Sequence, residues 1–195
     1  MKKVRKYLAW TIVTIVALSI GLYMFTTAVF SGAFDKHYSA EEAIKNFKDR
    51  ENDILDLADF FRRHKHANHE ISFSLETRKF NLSIGLPGWA IMGKFPNRHG
   101  RDLKLGTPES DTLLSEIGWT NNTVSDLTEK LKKADCLSIS SNENIIAIHY
   151  RTGTWSSYSY MVYDKPISDS LKKVYDEAKI MMLRDNVKLA TSHPL

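Results

Sequence analysis

The chain has 195 residues with 27 basic and 23 acidic side chains, and a formal charge of +4. Lys2, Lys3, Arg5 and Lys6 account for that surplus. The rest of the chain carries 23 charges of each sign, so it has no basic excess to displace counterions from a polyanion, which excludes a nucleic-acid partner, and the single cysteine, Cys136, excludes an intrachain disulfide.

Residues 7–34 hold no charged side chain, and the apolar stretch from Tyr7 to Phe30 is 24 residues long. As a helix it would measure about 36 Å, enough to cross a hydrocarbon core of roughly 30 Å with some tilt. A cleavable leader has an apolar region of about 7–15 residues, so length favours a retained anchor, although Ser31-Gly32-Ala33 supplies a small-residue cleavage site. The positive-inside rule then puts the basic tail 1–6 in the cytoplasm. The expected organisation is a single transmembrane helix over 7–30, a linker over 31–38 and an extracytoplasmic α+β domain over 39–195. The bilayer around 7–30 is the first expected partner, and the inner membrane, with the domain periplasmic or extracellular, the expected location. Ala17 and Gly21, four apart, would let two such helices approach, which allows a homodimer.

Ser39 and Glu42 form a capping-box pattern ahead of Ile44, Phe47, Ile54, Ala58 and Phe61, with Leu57 widening the stripe. Arg62, Arg63, His64 and Lys65 then favour a helix C-terminus, so a long helix is predicted over about 40–65. Ile71, Phe73 and Leu75, then Phe80, Leu82 and Ile84, alternate as two strands joined near Thr77 and Arg78. Residues 85–106 break the pattern with five of the nine glycines, and are read as a long irregular loop of the kind that carries function.

Thr107-Pro108 opens a helix that Gly118 closes, and a second helix is predicted from near Thr123 with Val124, Leu127 and Leu131 inward. Three strands follow at 136–140, 145–151 and 155–163. A three-residue loop at Thr152-Gly153-Thr154 would pair Ile148 with Tyr158 and Ile146 with Tyr160. That register puts Tyr150, Tyr158 and Tyr160 on the core face, and His149, Arg151, Ser157 and Ser159 on the other. Ser168 can cap a helix to about Ala178, and the end reads as a hairpin over 180–190 or as an extension of that helix through Met182. The fold class is therefore α+β: a mostly antiparallel sheet, the long helix and two or three shorter ones.

His64, His66 and His69 are the only metal candidates, and a weak set. In a continuous helix His64 and His66 point about 200° apart, and no thiolate joins them. Cys136 begins a strand-like run with no histidine partner and reads as a small buried residue. The chain has no Gly-x-Ser-x-Gly elbow, phosphate loop or dinucleotide fingerprint. No catalytic residue and no cofactor is expected. Trp89 and Phe95 in the irregular loop, Trp155 at a hairpin end, and His149 with Arg151 on the polar strand face are the candidate binding residues.

Leu127-x3-Leu131, Ala134-Asp135-Cys136-Leu137-Ser138-Ile139, Ile148-His149-Tyr150-Arg151, Tyr158-x-Tyr160 and Lys165-Pro166-Ile167-Ser168 together resemble small uncharacterised exported or membrane-tethered proteins of Gram-negative bacteria. That resemblance implies a bacterial envelope setting and carries over no activity. Two functions are carried forward. The first is a non-enzymatic protein-binding module, accessory or immunity-like, whose partner is another envelope protein. The second is an envelope hydrolase or small-ligand-binding domain that uses the 85–106 loop and the polar face near His149.

Overall fold

The computed structural model describes residues 14–27, 38–65, 68–77, 79–86, 98–142, 144–152, 157–177 and 180–192. Residues 14–27 form a helix, α1, and it exposes Ile15, Val16, Leu18, Ile20, Leu22, Tyr23, Met24 and Phe25. The expected transmembrane helix is corrected at this point. Among the described residues no helix is long and apolar enough to cross a membrane. The described α1 rises only about 21 Å at 1.5 Å per residue, against a hydrocarbon core of roughly 30 Å. Residues 7–13 and 28–30 of the expected span, the tail 1–6 and positions 31–37 of the linker lie outside the described residues.

From Tyr38 on the chain builds an α+β unit. Its helices are α2 (Ala40–His64), α3 (Pro108–Glu116), α4 (Asn121–Lys133) and α5 (Asp169–Glu177). Its strands are β1 (Glu70–Glu76), β2 (Lys79–Gly85), β3 (Arg98–Leu103), β4 (Ser138–Asn142), β5 (Ile145–Thr152), β6 (Ser157–Tyr163), β7 (Met181–Arg184) and β8 (Val187–Ser192). They pair antiparallel in one eight-stranded sheet, ordered β3-β2-β1-β4-β5-β6-β8-β7.

α2 starts where its capping box demands, with Glu42 N donating to Ser39 Oγ and Ser39 N to Glu42 Oε2. It is broken once, at Arg50 (φ −132°, ψ 24°), whose guanidinium donates to Lys133 O at the end of α4. α4 starts two residues ahead of the expected Thr123, because Thr120 is the cap and Thr123 is its reciprocal partner at the third position. Leu57, Phe61, Leu114, Leu127 and Leu131 bury against Phe73, Leu82, Ile139 and Ile148 on one sheet face. Tyr160 ties the layers together. Its hydroxyl donates to Ala43 O at 2.8 Å and accepts from Asn46 Nδ2 at 3.1 Å, and Asn46 also donates to Ala134 O.

Two expectations shift. The β5–β6 hairpin pairs Ile148 with Tyr160 and Ile146 with Val162, two residues from the anticipated register. A shift of two keeps every side chain on its face, so the core tyrosines stay inward. Between His149 and Arg151 the ladder then bulges, and Arg151 comes opposite Tyr158. The last segment is the hairpin β7–β8 rather than a longer helix, and β8 inserts beside β6.

Candidate functional site

Alternation decides what the second sheet face presents. β1 sends Ile71 and Phe73 to the core and leaves Ser72 and Ser74 outward; β2 sends Phe80, Leu82 and Ile84 inward and leaves Asn81 and Ser83. In β3 the buried residues are Gly100 and Leu103, three apart, so strict alternation fails. The cause is a bulge, since Leu103 pairs with Phe80 and Gly100 with Leu82. Arg101 and Asp102 therefore share the place opposite Asn81, and Asp102 adopts φ 55°. Asn81 Oδ1 accepts from Asp102 N at 2.9 Å and so satisfies the amide that the bulge leaves unpaired.

The result is a polar concavity of about 480 Å³ on β1, β2 and β3. Asn81 Nδ2 donates to Ser74 Oγ and to Glu76 Oε1, while Lys79 pairs with Asp102 at 3.4 Å. Arg101 Nε donates to His99 Nε2 at 2.8 Å, and His99 Nδ1 lies 2.7 Å from Ser83 Oγ. A guanidinium nitrogen can only donate, so Nε2 accepts and the ring proton sits on Nδ1. His99 therefore donates to Ser83, which is the opposite of what activating a serine nucleophile requires.

The same face continues over the next strands. Ser140 lies opposite Ser72, Ser138 opposite Ser74, and His149 opposite Ser138. Ser159 Oγ is 2.7 Å from His149 Nδ1, and burial lowers the pKa of this imidazole. Ser159 is itself buried, and among the described residues no carboxylate orients the ring. His149 and His99 stand four strands apart, about 19 Å at the usual strand spacing. Arg151 does not join them. Past the bulge it turns to the helical side, donating to Asp135 O at 2.9 Å and Asp135 Oδ1 at 2.7 Å and lying against Tyr150 and Tyr38. Trp89, Phe95 and Trp155 lie outside the described residues.

His64 Nδ1 bonds Phe60 O within its own helix, and its ring stacks on Phe60. His66 lies outside the described residues, and among those described no three His, Cys, Asp or Glu side chains converge as metal ligands. Cys136 is buried, and burial pushes its thiol up to about 12, so it holds no thiolate at neutral pH.

A second surface lies at the other end of the unit. α5 turns polar side chains to the sheet: Lys172 Nζ reaches Asp185 at 3.3 Å, and Tyr175 OH meets Tyr163 OH at 3.0 Å and Lys188 Nζ at 3.3 Å. Tyr163 and Lys188 alternate with the buried Val162 and Val187, so this helix covers the margin of the face away from α2. Its apolar residues point outward instead, with Leu171 37% and Val174 54% exposed. Beside them opens a cleft of about 320 Å³ walled by Tyr163, Pro166, Ile167 and Leu171. Lys165 also lines it and makes no ion pair among the described residues. No family model, no curated protein and no solved structure matches the chain.

Proposed function

We propose that the chain is a non-enzymatic binding module that docks another protein through the outer face of α5 and the adjoining cleft. The observation that supports this is that α5 turns Lys172 and Tyr175 inward while Leu171 at the cleft and Val174 stay 37% and 54% exposed. Two exposed apolar side chains one turn apart on a helix, next to an apolar cleft, offer what interface anchors need: a concave seat that excludes water from the contact. Lys165 at the cleft, in no ion pair among the described residues, favours a partner whose rim is acidic. The reading extends to an envelope setting, which rests on Lys2, Lys3, Arg5 and Lys6 and on the exposed apolar side chains of α1.

The test is crosslinking in cells of the full-length protein, beside a Leu171→Asp, Val174→Asp variant. Both positions are exposed, so the variant should keep its fold by circular dichroism. Losing two interface anchors worth about 2 kcal/mol each should abolish capture of a stoichiometric partner. The proposal is lost if wild type and variant retain the same partner equally well.

A further inference from the structure

The concavity on β1, β2 and β3 plays no part in docking at α5, and its chemistry points to a different ligand. The lining carries one positive charge, Arg101, and two negative ones, Glu76 and Asp102, and Lys79 beyond the lining neutralises Asp102 by pairing with it, so no charge is left in excess. An anion would meet both carboxylates. A metal cation would compete with Lys79 for Asp102 and with Asn81 for Glu76. An apolar ligand would find no apolar wall, since every side chain there is polar. What remains is a neutral molecule rich in groups that both donate and accept hydrogen bonds.

The side chains are already held for that task. His99 donates to Ser83 Oγ, which leaves the serine hydroxyl proton free to point out of the sheet. Arg101 is fixed through Nε on His99, and its two terminal amino groups take no partner among the described residues. A guanidinium oriented in this way presents a planar pair of donors. The carboxylate of Glu76 retains acceptor capacity beyond its bond from Asn81. The polar surface also runs on past the cavity through Ser140 and Ser138, so an elongated ligand would keep finding hydroxyl partners.

We infer that this concavity is a binding site for a neutral oligosaccharide, with Arg101, Ser83, Asn81 and Glu76 as its hydrogen-bonding set. The experiment follows amide shifts of the full chain, held in a polyoxyethylene detergent free of sugar. Maltohexaose, chitohexaose and inorganic phosphate are titrated in turn. At least one oligosaccharide should give saturable shifts in β1, β2 and β3, and phosphate none there. Arg101→Ala should weaken binding about tenfold or more, the worth of a hydrogen bond to a charged group. Ser83→Ala, at a strand position that keeps its backbone pairing, serves as a second variant and should weaken it as well. Leu171→Asp should leave sugar binding unchanged, which separates this site from the docking surface of α5. Absence of saturable shifts with both oligosaccharides, or phosphate shifting the same amides, overturns the inference.

Discussion

His149 shows how much a single buried group can couple the fold to pH. The unfolded chain protonates this imidazole near its ordinary value of 6.5, whereas burial holds the folded pKa lower. Between those two values the unfolded state binds the extra proton. The contribution of His149 is therefore complete above 6.5 and is lost as pH falls through the folded pKa. Urea unfolding at about pH 7.5 and about pH 5 should show lower stability at the acid end. His149→Asn keeps an amide that can reach Ser159 and removes the titration, so its stability should fall less between the two pH values. An unchanged slope would mean that other groups carry the acid sensitivity. Tyr160 gives a second expectation, because its hydroxyl joins Ala43 on α2 to Asn46 and, through it, to Ala134 at the end of α4. Tyr160→Phe leaves Asn46 only its bond to Ala134 O and removes the hydroxyl that donates to Ala43 O, which should cost about 1–3 kcal/mol in urea unfolding.

Elements were legible where a local pattern dictates them. The capping box of α2, the Thr107-Pro108 start of α3, and the alternation of Ile71, Phe73, Phe80, Leu82 and Ile84 all act within a few residues, and each element stands where those residues put it. β3 was not legible, because its pattern is Arg-His-Gly-Arg-Asp-Leu with Gly100 and Leu103 three apart, which matches no regular strand. Only pairing with β2 shows that the extra residue is a bulge. The three-residue spacing inside a glycine-rich stretch was the one available signal. Gly100 also has a packing reason to be glycine. A Cβ there would come 2.6 Å from Leu113 Cδ1 on α3 and 2.7 Å from Leu103 Cδ1. Gly100→Ala therefore requires the buried Leu113 and Leu103 side chains to shift within a packed core. It should destabilise by about 1–3 kcal/mol, read as a lower urea midpoint at constant slope. A neutral result would mean that the two leucines repack at no cost.

At the scale of the whole molecule, the candidate site shows what a linear pattern conceals. Both members of the pair His149 and Arg151 were visible as polar residues two apart, which predicts one shared face. The bulge between them sends Arg151 to Asp135 on the helical side, and that event depends on β6, not on β5 alone. The concavity was hidden for a similar reason. Ser72, Asn81 and His99 are ordinary polar residues in sequence and become neighbours only through strand pairing. The inward turn of Tyr175 on α5 depends likewise on Tyr163 and Lys188 being there to receive it. The core carries a consequence for the molecule as a unit. Among the described residues, those that build it or pack against it run from Tyr38 onward. The α+β unit thus has an interior of its own. A chain of residues 38–195 should unfold in urea in a single cooperative transition. Such a transition is what one packed interior gives. A broadened transition or a lower slope would show that the N-terminal segment contributes to the folded unit.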